Sequence, residues 1–206
     1  MSDPLTLKND IDYMKALAQD GGRRPIINGG ALFWAGIMFG AASLIHYGFW
    51  TQMIPLPNPW FLAANWLVAG LIYGVLATLS IRSSIRKYGH GGTMNVAIGN
   101  IWSGIGFAIF VIAMCLIVAG THMEQMEATM SMLAPAILVL YGLGWWIVSA
   151  ISGQGWLKFV CFGAFLGAAG TSFMAGEPEQ FLAYTACLIL FATVPGMIIM
   201  LQAKKA

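Results

Sequence analysis

Six long apolar segments, almost empty of formal charge, dominate this sequence. They cover residues 30–51, 59–81, 96–120, 132–152, 156–174 and 180–202. A helix of roughly 20 apolar residues crosses the hydrocarbon core of a bilayer, because its backbone polar groups pair within the segment. Apart from Lys158, at the start of the fifth segment, no Asp, Glu, Lys or Arg falls inside them. The pattern predicts an all-α integral membrane protein with six transmembrane helices arranged as three up-down hairpins. Composition agrees: 59% of the 206 residues are hydrophobic and 9% charged, against about 25% charged in a soluble domain. The longest piece outside the segments is the tail, residues 1–29. Chains below about 40 residues rarely bury a core of their own. The expected organisation is therefore a cytoplasmic tail, 1–29, followed by a bundle, 30–206.

The ten Lys and Arg residues set the orientation. Lys8, Lys15, Arg23 and Arg24 lie in the tail. Arg82, Arg86 and Lys87 follow the second segment, Lys158 opens the fifth, and Lys204 and Lys205 close the chain. Up-down threading puts all of them on one side. The other side holds Glu124, Glu127, Glu177 and Glu179. Basic residues in short loops stay cytoplasmic, so both termini are expected to face the cytoplasm of a bacterial inner membrane. The first apolar segment starts at residue 30 and is full length, so it reads as an uncleaved anchor. Trp50 and Trp60 flank the outer loop, and Trp156 the inner face, where indoles prefer the headgroup level.

The same distribution narrows function. A net charge of +2 offers no basic field for nucleic acid. Proton-coupled transporters place ionisable groups inside the bundle, and a haem bundle needs facing histidines. Here His46 is the one histidine within a span. No catalytic inventory is evident, no enzyme activity is expected, and no cofactor is predicted. Cys115, Cys161 and Cys187, an odd number inside lipid, read as free thiols.

Four helices carry small-xxx-small pairs: Gly36/Gly40, Gly70/Gly74, Gly104/Ala108 and Gly163/Gly167. Lipid gives helices no hydrophobic reason to associate, and small faces let backbones approach and gain dispersion contacts. These faces serve either packing within the bundle or a protein partner or second copy. The first and third spans also share a pattern at an offset of 68 residues. Trp34-Ala35-Gly36 matches Trp102-Ser103-Gly104, and Tyr73-Gly74 matches Tyr141-Gly142. A duplicated hairpin is one explanation, and coincidence in Gly-rich helices the other.

Polar residues cluster near the outer boundary. His46, Tyr47, Asn65, Thr171, Ser172 and Tyr184 lie within roughly 10 Å of it at about 1.5 Å per residue. They are candidates for a polar pocket, or for local bonds between helices. The loop from His122 to Met132 carries Met123, Met126 and Met130 at helical spacing. Thioether and imidazole ligands suit Cu(I), and methionines also fill irregular apolar surfaces. Pro195-Gly196 interrupts the sixth span and predicts a kink or hinge, because proline lacks the N–H the helix needs.

In the tail, Leu7, Ile11, Met14 and Ala18 form an apolar stripe at helical spacing. Asp10, Asp12 and Asp20 offset the lysines, so this amphipathic helix suits a protein surface better than an anionic leaflet. The functional expectation is an accessory subunit or membrane-bound regulator that works by association. The alternative is a small channel or facilitator for an uncharged or weakly polar solute. A Cu(I)-handling protein is a third reading.

Overall fold

A computed structural model describes residues 26, 27, 29–89 and 92–205. The chain is all-helical there, with no strand among the described residues. The helices are α1 (Gly29–Trp50), α2 (Trp60–Tyr88), α3 (Gly92–Met123), α4 (Met126–Ser131), α5 (Leu133–Ser152), α6 (Leu157–Phe173), α7 (Glu179–Leu188) and α8 (Val194–Lys205). A π-helical turn, Ile189–Thr193, joins α7 to α8 in one continuous rod. Five helical runs are long and apolar enough to cross a membrane: α1, α2, α3, α4 with α5, and the α7–α8 rod. α6 is apolar and shorter, at 17 residues. The amphipathic stripe Leu7, Ile11, Met14 and Ala18 lies outside the described residues.

Helix ends differ from the apolar segments for local reasons. α2 runs past residue 81 to Tyr88, so Arg82, Arg86 and Lys87 ride on its last turns instead of a loop. Basic side chains favour a helix C-terminus, where the peptide dipoles present partial negative charge. The helix stops where Gly89, at φ 75°, donates its N–H to Ile85 O. Glycine takes that left-handed backbone without steric cost. α3 is longer than its apolar segment at both ends, spanning Gly92–Met123. The Met-rich link is mostly helical, as α4.

The core lies between α1, α5, α6 and the α7–α8 rod. α1 packs along α2 on one side and along the rod on the other. Among pairs of single helices α5 and α6 pack most extensively, α6 also touches α7, and α3 packs on α4 and α5. Between apolar segments the most extensive contact joins the first and the sixth, α1 with the whole rod, and the fourth and fifth also meet, across the boundary between two expected hairpins. Trp145, Leu138, Val148, Leu157, Cys161, Ala164 and Ala192 are completely buried. The outer helices contrast sharply. Only Ala69 and Ala77 of α2 are buried, and only Asn95, Ile98, Ile105 and Gly120 of α3. α2 and α3 are consecutive, yet they make no substantial contact with each other.

Side-chain contacts sort the helix ends into two groups. At one end Ile27 N–H donates to Asn95 Oδ1 at 3.0 Å. Gly30 faces Ser80 and Met200 there. At the opposite end Gln180 Nε2 donates to Ser131 O and Thr171 O at 2.7 and 3.1 Å. Residues that match at the offset of 68 do not share partners. Trp102 packs edge-on against Tyr141 at 5.4 Å, whereas Tyr73 packs on Phe39 at 5.3 Å and Trp34 on Phe33 at 5.2 Å.

Candidate functional site

The polar residues at the Gln180 end form a layer of interhelical hydrogen bonds. Asn65 Nδ2 reaches from α2 to Ala42 O of α1 at 2.8 Å. Ser43 Oγ of α1 donates to Phe181 O of α7 at 2.8 Å and is fully buried. Thr185 Oγ1 lies 3.3 Å from Gly40 O and 2.8 Å from Phe181 O. Thr171 and Ser172 turn back on their own helix, with Thr171 bonding to Gly167 O and Ala168 O and Ser172 to Ala168 O. Helical Ser and Thr commonly satisfy themselves in this way when no other donor or acceptor is near. Tyr184 is buried against Leu138, Ala168 and Leu188. Tyr47 offers its carbonyl to Thr51 Oγ1 at 2.9 Å.

His46 is the centre of an aromatic group. Its ring stacks on Phe181 with centroids 4.1 Å apart, and Trp50 and Trp66 each lie at 6.0 Å. Trp66 Nε1 donates to His46 Nδ1 at 2.9 Å. Nδ1 is therefore the acceptor, which assigns the proton of neutral His46 to Nε2. His46 and Asn65 thus bond across to a neighbouring helix, Thr171 and Ser172 bond to their own, and Tyr47 and Tyr184 engage no partner through a side-chain hydrogen bond among the described residues. Two cavities are lined by other residues: one by α2 from Gly70 to Arg82, the other by residues 124–128, Ser131 and Met132 with Ala175 and Gly176.

Met126 and Met132 of the Met-rich segment line that second cavity, and His122, Met123 and Met130 do not. His122, Met123 and Met126 are exposed and Met130 half-buried. Among the described residues no group of three His, Cys, Asp or Glu side chains stands close enough to hold a metal. Gly120 gives way to this turn, since a Cβ there would lie 3.0 Å from Met126 Cα. Cys115 is exposed, Cys161 buried and Cys187 half-buried, and all three are free.

The small residues divide into two classes. A Cβ on Gly36 would strike the Thr193 hydroxyl and stand 2.8 Å from Leu188 O and Thr193 N. Gly40 is buried, with Thr185 Cγ2 3.7 Å from its Cβ position. Gly163 and Gly167 accept the Phe191 ring, and Gly167 also Cys187 Sγ. These four are used inside the bundle. Gly70, Gly74 and Gly104 have nothing within 4 Å of where a Cβ would stand, and Ala108 is half-buried.

At the proline, the structure shows a widened turn. Val194 N–H donates to Ile189 O, five residues back. Pro195 has no N–H to give Phe191 O, four residues back. Trp145 Nε1 of α5 donates to that carbonyl at 2.8 Å. Gly196 packs tightly, its Cβ position lying 2.6 Å from Phe33 N and 2.7 Å from Gly29 O. It marks a close crossing of α1 and α8. Thr193 Oγ1 and Trp102 Nε1 are buried without a hydrogen-bond partner among the described residues. Sequence reasoning missed Trp145, Ser43, Gln180 and Trp66. One signal was available for the first: a proline within a span implies an orphaned carbonyl four residues earlier and a donor on a neighbouring helix. No family model, characterised protein or solved structure matches this chain.

Proposed function

We propose that this is a six-span inner-membrane protein, both termini cytoplasmic, that works by association as an accessory or regulatory subunit. The observation that carries the reading is the contrast between the two glycine classes. Gly36, Gly40, Gly163 and Gly167 are consumed by internal packing, while α3 leaves Gly104 open between exposed Phe107 and Phe110 and the half-buried Trp102. A close-approach site without a neighbour on an apolar helix suits a second transmembrane helix. Four of the polar candidates, His46, Asn65, Thr171 and Ser172, already have hydrogen-bond partners, which supports association over a solute path. α6, at 17 residues, meets the lower limit of roughly 17 for a span and supplies the sixth crossing in this reading. The tail, with its apolar stripe, is the proposed second contact.

A photo-crosslinking residue in place of Phe107, activated in native membranes, tests the proposal. The expected result is one discrete protein adduct that weakens at least severalfold when Gly104→Leu fills the face. Lipid adducts alone, or a protein adduct indifferent to Gly104→Leu, would overturn it.

A further inference from the structure

α2 carries a second open feature, on the other side of the bundle, that differs from the α3 face in its chemistry. A groove runs along it, lined by Gly70, Leu71, Gly74, Val75, Thr78, Leu79 and Arg82, with a volume of about 480 Å³. Its floor is the backbone at Gly70 and Gly74, where no side chain among the described residues approaches. Its ridge is Leu71, Val75 and Leu79, which are 72%, 61% and 57% exposed. The Thr78 hydroxyl is folded back onto Gly74 O at 2.7 Å, so the groove offers no free hydroxyl donor along its length. The groove carries no charged side chain until one end. There Arg82 closes the groove, and Arg86 and Lys87 stand one turn further on the same helix, all three exposed. The four carboxylates among the described residues, Glu124, Glu127, Glu177 and Glu179, belong to the other end of the bundle. No counter-charge on the described chain therefore competes for these cations.

We infer that this groove binds one anionic phospholipid, with an acyl chain along Gly70–Leu79 and the phosphate at Arg82 and Arg86. Length supports the assignment. Twelve residues separate Gly70 from Arg82, about 18 Å of helix, close to one leaflet's share of a hydrocarbon core of about 30 Å. Charge supports it too, because arginine pairs with phosphate through two parallel N–H donors. A protein helix laid in the same groove would have to bring an acidic end to the Arg82 level, whereas an anionic lipid places its charge there by construction. The inference rests on the membrane reading and on neither the α3 partner face nor the number of spans.

Native mass spectrometry of the protein released from mild detergent, with dioleoyl phosphatidylglycerol or dioleoyl phosphatidylcholine added, tests it. The wild type should keep one phosphatidylglycerol at activation energies that strip the other lipids. Each of Arg82→Gln and Arg86→Gln should lower the preference for phosphatidylglycerol about fivefold, the scale expected for one basic residue near an anionic headgroup. Gly74→Leu, which fills the floor, should weaken both lipids together. Equal retention of the two lipids by the wild type would overturn the inference. So would a preference unchanged by both arginine variants, or retention unchanged by Gly74→Leu. Because the Phe107 crosslink reads the α3 face, either proposal can fail while the other stands.

Discussion

Trp145 shows how one side chain can make a proline acceptable in the middle of an apolar helix. A carbonyl left bare in a dry interior costs about 1–3 kcal/mol, and the indole N–H at 2.8 Å removes that cost for Phe191. Trp145→Phe keeps an aromatic ring there but leaves the carbonyl unsatisfied. Pro195→Ala supplies a backbone donor and should make the indole partly redundant. The loss of stability caused by Trp145→Phe is therefore expected to be about 1–2 kcal/mol smaller in the Pro195→Ala background, within the usual range for coupled neighbours. Unfolding in mixed micelles by SDS, across the four-member cycle, measures this. Equal losses in both backgrounds would show that the bond and the proline act independently. The proline itself was plain in the sequence. Its partner was not, because nothing local to residue 145 shows which carbonyl lies opposite.

At the scale of whole elements, the apolar segments were legible because lipid imposes a single length and charge rule on all of them. The ends were less so. The second helix continues to Tyr88 because Arg82, Arg86 and Lys87 are good helix formers that also suit a C-terminus, and hydropathy does not register that. The small-xxx-small pairs were equally visible on four helices, but the sequence could not separate inner from outer faces. Contacts do, and they give opposite signs to the same substitution. Gly36→Ala forces a methyl group onto Leu188 O and Thr193 at the π-helical turn, and overpacking of this kind costs about 1–3 kcal/mol. Gly74→Ala meets open space and should be neutral, or stabilising by up to about 1 kcal/mol from helix propensity. The Gly36→Ala midpoint should therefore fall below the wild type and the Gly74→Ala midpoint at or above it. A Gly36→Ala midpoint at or above the wild type would contradict the tight contact between α1 and the rod. The outer polar residues followed the same pattern. Asn65 and His46 could be placed near one boundary, but which group each one bonds to depends on helix rotation, which periodicity in a uniformly apolar helix does not define.

Across the whole molecule, every argument about sidedness turns on the bundle having two chemically distinct ends. The structure groups Asn95, Ser80 and Met200 with the start of α1, and Gln180, Ser131 and Thr171 at the other end. The basic residues of α2 belong to the first group and the glutamates to the second. The proposed orientation, with Lys and Arg retained on the cytoplasmic side, puts the first end in the cytoplasm. The assignment is testable at single positions in a variant lacking Cys115, Cys161 and Cys187. Ser83→Cys and Ala128→Cys lie at opposite ends on exposed positions. An impermeant maleimide applied to intact cells should label the cysteine at 128 and spare the one at 83 until the membrane is opened. The reverse pattern would invert the protein. The sharper case is α6, whose 17 residues make about 26 Å of helix, slightly less than the hydrocarbon core. If it crosses, the turns on either side of it must face opposite compartments. Gly155→Cys, at a glycine with open space around it, should then label only after permeabilisation, and Glu177→Cys in intact cells. Labelling of both from outside, or of neither, would make α6 a re-entrant or interfacial helix and leave five crossings, placing the two chain ends on opposite sides of the membrane.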